Sequence, residues 1–413
     1  MMKRLHAPAV YLIYRFGTGL LFATGFTMAG LYRIEWAGLG ALELALVGTV
    51  LETTVTLCEV PTGVLADLYG RRASVLAGLV LIGAGIAVEG SVPSLAAILA
   101  GQVLWGLGYT LTSGADAAWI ADEVGEDRAR TLYVRGAQAA QAGTLLGIGA
   151  SVALAQLRLD LPLRAAGVAF WVLAGFLALV MPETGHRPAR PAGGSWWQGM
   201  AGTFRDGLGV VRSRPGLAVV LLTAVCYGLA SEDFDRLWQL HLLTRFPLSR
   251  EAGVDPVYVF GGLSAGAMLL TIAAAELVRR RAHWANPAVT GRLLLLISAL
   301  LIPIVAGYGL AGSLAAAVSF YWLTSMLRET YEPVHTAWVN EQIEPGTRAT
   351  VLSLVEQFHS LGEIIGGPIL GTVAAAITVE AGIVGSAVAL VPVLGLYAWL
   401  LRVRRRATPV PAG

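Results

Sequence analysis

Long apolar segments recur along the whole chain, separated by short polar or Pro/Gly-rich breaks. Apolar and polar positions do not alternate within them, and each reaches the roughly 20 residues that a helix needs to cross a bilayer. A membrane β-strand would need only about 10 residues with polar alternation. The breaks predict twelve transmembrane helices, at about residues 8–32, 40–66, 73–91, 94–122, 131–157, 163–182, 216–245, 257–279, 289–311, 313–343, 348–378 and 382–402.

The composition agrees with a lipid environment. Of the 413 residues, 56% are hydrophobic and 14% are charged, whereas soluble domains carry about 25% charged residues. This excludes a water-soluble globule and a disordered chain. The net charge is only +2, and no basic patch carries interleaved aromatic residues, so we expect no nucleic-acid partner.

The cations select one orientation in the membrane. With both termini on the cytoplasmic side, inner segments hold 21 of the 29 Lys and Arg residues and outer loops hold five, which is the positive-inside pattern. We therefore expect a multi-pass protein of the cytoplasmic (inner) membrane with both termini inside.

The longest polar interruption, at about 183–215, separates six spans from six. We predict an N-terminal bundle (1–182), a cytoplasmic linker (183–215) and a C-terminal bundle (216–413). Apolar residues between Trp196 and Val211 recur at helical spacing opposite arginines, which suits a helix lying on the inner membrane surface. A simple linker is the alternative.

A weak internal repeat relates the two halves. The fourth span ends in AWIADEVGEDRARTL and the tenth in AWVNEQIEPGTRATVL. Gly147 follows Arg128 by nineteen residues, and Gly367 follows Arg348 by the same number. Matching motifs in corresponding spans are what a duplicated transporter predicts. We therefore expect two pseudo-symmetric six-helix bundles.

Ionisable residues concentrate in particular spans. The third, sixth, ninth and twelfth spans carry none in their middles and are predicted to face lipid, whereas the first, fourth, seventh and tenth carry several. A charge facing hydrocarbon costs at least about 3 kcal/mol, so these groups must face protein or water. The predicted residues of a central substrate and proton cavity are Arg15, Asp116, Glu232, Asp235, Arg236, Arg328, Glu329 and Glu332, with Tyr14 and Tyr109 from the same helices.

One ion pair is expected in the first half. Arg15 and Asp116 both fall roughly 10 Å from the inner ends of their spans and could pair. The pair could hold the bundle together or take part in transport. Both readings remain open.

The acids of the cavity outnumber its cations. The excess favours protonation of one acid or capture of a cationic substrate, and neighbouring acids raise the affinity for a proton. Asp116, Glu232 and Asp235 are the candidate proton sites. Asp233 or Glu329 could instead form a solvated cavity wall.

The sharpest motif is EVPTGVLADLYGRRAS, which follows the second span. Pro61 and Gly63 are expected to end or bend the helix, and Gly63 and Gly70 to allow close approach of another backbone.

Charged residues of the same motif predict a latch at the inner water line. Asp67, Arg71 and Arg72 lie there, and an arginine can reach an acid on another span. Asp122, at the inner end of the fourth span, is the natural partner. Such a latch can be made in one conformation and broken in another.

This motif resembles the loop 2–3 signature of the major facilitator superfamily, carried here by Gly63, Leu65, Asp67, Gly70, Arg71 and Arg72. The six-plus-six layout resembles that family over essentially the whole chain. The resemblance implies two six-helix bundles that rock about a central cavity, with Asp67, Arg71 and Asp122 as the cytoplasmic gate network.

The subclass that the chain is most similar to is the drug/proton antiporters, with two departures. Those exporters usually carry an Arg near the start of the glycine run in the fourth span, where this chain has Gln102. They also carry a glycine-proline motif in the fifth span. Here QAGTLLGIG lacks the proline, and the better match is GEIIGGPILG in the eleventh.

Together these patterns predict an all-α membrane protein that works as a secondary active transporter by alternating access. We expect proton-coupled efflux of an organic compound, with cationic amphipathic molecules among the candidates. The alternatives are proton-coupled import of a small polar nutrient, an intramembrane enzyme and a non-transporting receptor. No cofactor or metal is predicted, because no two histidines lie at ligand spacing on one helix. The expected partners are the bilayer, protons and a small-molecule substrate, and we expect a monomer.

Overall fold

The structure is a computed structural model, and it describes residues 6–185, 209, 215–249, 251, 253–281, 287–341 and 348–407. Regular structure within these ranges is helical, and the described residues form no strand. Apart from Gly209, the helix predicted between Trp196 and Val211 lies outside the described residues.

The helices follow one another with short connections. A single helical turn, Ala29–Leu31, and a π-helical turn, Tyr32–Trp36, continue from α1. In the described residues the helices are α1 (Ala7–Phe26), α2 (Ala41–Tyr69), α3 (Arg71–Ser91), α4 (Leu95–Thr112), α5 (Ala115–Val124), α6 (Glu126–Ala155), α7 (Leu161–Val180), α8 (Pro215–Arg245), α9 (Pro256–Arg281), α10 (Pro287–Gly309), α11 (Leu314–Asn340), α12 (Arg348–Ala376), α13 (Val379–Ala389) and α14 (Val391–Ala407).

Each of the twelve predicted spans coincides with one helix or with consecutive helical segments, which confirms the prediction of helices from the apolar pattern. Nine helical segments among the described residues are long and apolar enough to cross a membrane. Helices α6, α11 and α12 are outside that set, although they contain 30, 27 and 29 residues.

Three predicted spans are interrupted. The first is broken at Thr27 and Met28, between α1 and the turn Ala29–Leu31. The fourth span consists of α4 and α5, joined by Ser113 and Gly114, and Gly114 has a φ of +72° that terminates α4. The twelfth span consists of α13 and α14, which meet at Leu390. The length of an apolar segment does not reveal such breaks, because apolar residues continue on both sides of them.

Helix α2 does not end at Pro61 or Gly63, contrary to one of the expected outcomes, but continues to Tyr69. A proline lacks the N–H that would continue the helical ladder. Neighbouring groups make it tolerable inside a membrane helix. Here the Thr62 hydroxyl contacts the Cys58 carbonyl oxygen at 2.8 Å and the Thr110 carbonyl oxygen of α4 at 3.1 Å.

The described residues form two compact units. The first comprises those within 1–43, 50–194 and 248–265, and the second those within 44–49, 195–247 and 266–413. Buried aromatic and aliphatic side chains, including Phe170 and Trp119, form the core of the first unit.

Helix α7 has one face turned to the core and one turned outward. Phe170, Ala174 and Leu177 are buried, while Val172 and Leu179 are exposed. An exposed apolar stripe of this length suits contact with lipid, in agreement with the sixth span being a lipid-facing wall.

The same glycine-mediated helix packing occurs in both units. In the first unit, a Cβ atom on Gly143 of α6 would clash with the Phe16 carbonyl oxygen of α1. In the second, a Cβ atom on Gly362 of α12 would clash with the Val225 carbonyl oxygen of α8. Helices α1 and α6 therefore correspond to α8 and α12, and each pair packs with its backbones in contact.

This correspondence corrects the register of the internal repeat. One turn beyond Gly143 and Gly362, Gly147 packs against Leu20, and Gly366 packs against Leu229. Gly147 is thus equivalent to Gly366 and not to Gly367. The tryptophans of the repeat give the same alignment. Gly147 lies 28 residues after Trp119, and Gly366 lies 28 residues after Trp338. The arginines used for the prediction are offset by one residue.

Candidate functional site

A cavity of about 440 Å³ opens within the first unit, lined by α1, α3, α4, α5 and α6. Four of the predicted site residues, Tyr14, Arg15, Tyr109 and Asp116, line it together. The structure thus brings together residues that are more than 100 positions apart in the sequence. Hydroxyl groups add to the polar part of the wall, from Thr18, Thr112, Ser113 and Thr144.

The break between α4 and α5 forms part of this cavity wall. Ser113 and Gly114 line the cavity, and Asp116 follows in the first turn of α5. The first N–H groups of a helix have no intrahelical partner, and a negative charge is stabilised there. The Asp116 Oδ1 accepts a hydrogen bond from the Ala117 N–H at 2.6 Å.

Arg15 and Asp116 form an ion pair, with 3.2 Å between Nη1 and Oδ2. The arginine side chain is 35% exposed, against 11% for the aspartate. A guanidinium carries five N–H donors, and this contact uses one of them. Part of the guanidinium therefore remains available to an acceptor group in the cavity.

The predicted charges of the second unit separate into two ion pairs. Glu232 is buried and accepts a hydrogen bond from the Arg236 Nε at 2.7 Å. Asp235, half-exposed, accepts two hydrogen bonds from Arg328 at 2.6 and 2.7 Å. Arg328 of α11 thus binds Asp235.

The two remaining predicted acids of α11, Glu329 and Glu332, are exposed. The Thr336 hydroxyl lies 3.4 Å from the Glu332 Oε1.

Asp233 does not form a solvated wall, which was one of its two predicted roles. The residue is 0% exposed. It lies on the side of α8 that packs against Gly382 of α13. One position along a helix turns a side chain by about 100°, so Asp233 and Glu232 meet different surroundings.

The gate motif forms contacts within the first unit. Arg71 Nη1 lies 2.8 Å from Asp122 Oδ2, and Arg71 Nη2 lies 3.6 Å from Asp67 Oδ1. Arg72 donates through Nη2 to the Ala178 carbonyl oxygen at 2.5 Å. Gly63 does not have the expected role, because a Cβ atom there would meet no atom within 4 Å.

Two acids of this cluster were missed by sequence reasoning. Glu183 accepts a hydrogen bond from the Arg72 N–H at 2.9 Å and packs against Gly70, whose φ is +112°. Glu123 accepts hydrogen bonds from the N–H groups of Thr184 and Gly185. The PETG run after the sixth span was the sequence signal that could have revealed both acids. It contains Glu183 and the two residues that bind Glu123, and it falls at the same water line as the motif.

A buried polar network accounts for Gln102, the residue found where drug exporters usually have an arginine. Glu89 accepts hydrogen bonds from the Arg33 Nε and the Gln102 Nε2, each at 2.7 Å. The Trp105 indole N–H in turn donates to Gln102 at 2.8 Å. Gln102 is therefore committed to this network and does not line the cavity described above.

Comparison with known proteins agrees with this architecture. A family model described as Major Facilitator Superfamily matches residues 10–328. The chain is also similar to the uncharacterized MFS-type transporter YxaM of Bacillus subtilis (strain 168), with 23% identity over 365 residues and 86% of each chain covered.

Solved structures show the same fold. A bacterial homologue of the human lysosomal transporter Spinster, inward-facing and unoccupied, matches with a TM-score of 0.76, 15% identity and 98% of each chain covered. The nucleoside transporter NupG matches with a TM-score of 0.75 and 13% identity, covering 96% of this chain and 100% of its own.

The family match spans both the cavity and the gate motif. It overturns the alternative of an intramembrane enzyme. The chain belongs to the Major Facilitator Superfamily, and it is an all-helical integral membrane protein that acts as a secondary transporter.

Proposed function

We propose that the protein is a proton-coupled exporter that works by alternating access and binds an organic compound in the cavity beside Arg15 and Asp116. The observation that carries the proposal is the cavity itself. Its volume of about 440 Å³ lies within the range of sites that hold small organic molecules, roughly 300 to 1,000 Å³.

The cavity wall offers chemistry suited to an amphipathic molecule. Tyr14, Phe22 and Tyr109 supply aromatic surface, and the Asp116 carboxylate supplies a negative charge beside it. Aromatic faces near a carboxylate favour a cation that carries an apolar body. Tyr109 is exposed to the cavity, so its ring can contact a bound molecule directly.

Import of a small polar nutrient is the second candidate. The Arg15–Asp116 pair supports it, because a donor and an acceptor of opposite charge lie 3.2 Å apart and complement the two charges of a zwitterion. The direction of coupling separates the two candidates, since an exporter exchanges protons for substrate and an importer carries both together.

The membrane placement is part of the proposal. The positive-inside bias supports both termini in the cytoplasm of a cell whose inner membrane holds the protein. In that orientation the Arg71–Asp122 contact lies at the cytoplasmic end. We propose that this contact is made and broken as the transporter cycles.

Purified protein in vesicles with an acidic lumen tests the proposal. We expect the cationic dye ethidium to accumulate inside while trapped pyranine reports a rise in luminal pH. Accumulation of leucine from an acidic external medium would support import instead. No movement of either probe, with or without a gradient, would contradict transport through this cavity and favour a receptor.

The Asp116→Asn variant tests the site itself. Losing the carboxylate removes the charge that faces the cation, so we expect ethidium uptake to fall at least tenfold. Asp127→Asn removes the same charge from an exposed position of α6 and is expected to retain uptake. Equal uptake by both variants would show that Asp116 has no role in binding.

A further inference from the structure

We propose that Asp233 holds a proton in the conformation described here and is the residue through which this transporter exchanges protons. This inference rests on the proposed proton coupling and names the site that performs it. It departs from the sequence-based candidates, because Asp116, Glu232 and Asp235 each have an arginine as partner. An arginine beside a carboxylate favours its ionised form, and among the described residues Asp233 has no such partner.

The surroundings of Asp233 differ from those of the other three acids. The residue is 0% exposed, and neither oxygen of its carboxyl group has a hydrogen-bond partner among the residues that the structure describes. A Cβ atom on Gly382 would lie 3.2 Å from Asp233 Oδ2, 3.2 Å from Leu237 and 2.7 Å from Ala374. The carboxyl group thus lies in an apolar seam between α8, α12 and α13.

An ionised carboxylate is not stable in such a seam. Burial of an unpaired charge costs several kcal/mol, and the group avoids that cost by taking up a proton. A neutral carboxyl group still needs partners, but its burial costs far less than that of the anion. The geometry therefore favours the protonated form.

Among the residues that the structure describes, no cation faces the seam, so no positive charge stabilises an ionised Asp233 there. The adjacent residue Glu232 carries a charge of the same sign as an ionised Asp233, and like charges at close range repel. The helices packed against α8 carry further groups, but these face other partners. Glu380 of α13 faces His241 and Arg245, and Glu332 of α11 faces Glu356 and His359 of α12, while His359 contacts Glu363.

Further along α13 from Gly382, a buried hydroxyl borders a small cavity of the second unit. Ser386 lies one turn after Gly382 on α13 and is fully buried, and its hydroxyl has no hydrogen-bond partner in the described part of the chain. Ser386 and Arg328 both line a cavity of about 20 Å³, which is enough space for one water molecule.

Arg328, which also lines this cavity, binds Asp235, whose side chain is 48% exposed. A small separation of α8 from α13 would connect Asp233 to water through this cavity. We infer that Asp233 loses its proton in a conformation with that separation and regains it when the seam closes.

Infrared spectroscopy of the full-length protein in lipid vesicles tests protonation directly. At neutral pH, the difference spectrum between the wild type and Asp233→Asn should show the loss of a carboxylic-acid C=O band. Glu329→Gln, at an exposed acid, should show the loss of carboxylate bands only. Loss of carboxylate bands in Asp233→Asn would overturn the proposal.

A second measurement needs no variant. Dicyclohexylcarbodiimide reacts with protonated carboxyl groups in apolar surroundings, and mass spectrometry locates the adduct. We expect the adduct on Asp233, with a yield that falls as the pH is raised. Labelling confined to other acids would also overturn the proposal.

Transport separates the proton site from the proposed function. In vesicles with an acidic lumen, Asp233→Asn should lose gradient-driven accumulation of ethidium but keep exchange of ethidium without a gradient. Accumulation equal to the wild type would contradict the role of Asp233 in coupling. A wild type that does not respond to the gradient would contradict the proposed function, whatever the infrared bands show.

Discussion

Glu89 shows how a single charged residue is accommodated among these apolar helices. Its side chain is fully buried, and its two oxygens accept hydrogen bonds from Arg33 and Gln102. Removing one partner of a buried ion pair leaves the other charge uncompensated, at a cost of about 3 to 5 kcal/mol. Replacing both partners by apolar residues can be nearly neutral.

We therefore predict that Glu89→Gln strongly lowers the thermal stability of the protein in detergent, followed by tryptophan fluorescence. The double variant Arg33→Met with Glu89→Leu should recover much of that loss. A melting temperature of Glu89→Gln equal to that of the wild type would show that Arg33 finds another partner or reaches solvent.

Single residues also mark the limit of what the sequence could predict. The cost of a charge in lipid is a reason for Arg15 and Asp116 to face the interior of their unit, where both line the same cavity. The same rule does not predict which acid pairs with which arginine. Arg328 binds Asp235 and leaves Glu232 to Arg236, a choice that depends on how far each helix is rotated about its axis. For the same reason, the burial of Asp233 could not be predicted.

At the level of helices, close packing of α1 against α6 depends on glycine. A Cβ atom on Gly143 would clash with the Phe16 carbonyl oxygen and lie 2.9 Å from the Leu20 nitrogen. A backbone carbonyl cannot move aside as a flexible side chain can. The helices must separate to accept a larger residue, and overpacking of this kind costs about 1 to 3 kcal/mol.

We predict that Gly143→Ala lowers the melting temperature in detergent, and that Gly362→Ala, its counterpart in the second unit, does the same. Gly149→Ala is the matched control, because a Cβ atom there would meet no atom within 4 Å. That variant should be as stable as the wild type or slightly more stable, since alanine favours a helix over glycine. Equal stability of all three would contradict the glycine packing.

Helix boundaries followed from the sequence more readily than interruptions did. Apolar length predicts every span, because lipid requires about 20 residues for a crossing. The break at Gly114 has no such signal, since glycines are also frequent where membrane helices pack closely. Gly143 and Gly114 therefore look alike in the sequence, although Gly143 allows two helices to pack closely and Gly114 interrupts a helix.

For the whole molecule, the Arg71–Asp122 contact is a candidate for controlling the transport cycle. Its atoms lie 2.8 Å apart, with the side chains 21% and 29% exposed. A contact this exposed contributes up to about 1 kcal/mol. Because 1.4 kcal/mol corresponds to a tenfold change in an equilibrium constant, its loss would shift the conformational equilibrium by about fivefold.

We predict that Asp122→Asn changes the transport rate severalfold while the half-saturating substrate concentration for binding stays constant. Asp67→Asn should have a smaller effect, because Asp67 lies 3.6 Å from Arg71. Stopped-flow uptake and equilibrium binding of ethidium would separate rate from affinity, with Asp127→Asn as the control. Weaker binding in Asp122→Asn would instead place the residue in the substrate site.

The break at Ser113 and Gly114 has a consequence for the evolution of substrate choice. Gly114 has no side chain, so its share of the cavity wall is peptide backbone, which persists whatever side chains mutation introduces around it. If substrate binds in this cavity as proposed, substitutions at Tyr109 or Thr112 alter which compound is preferred while the backbone at Gly114 is inherited unchanged. New specificities could arise by a few substitutions around a recognition element that point mutation hardly reaches.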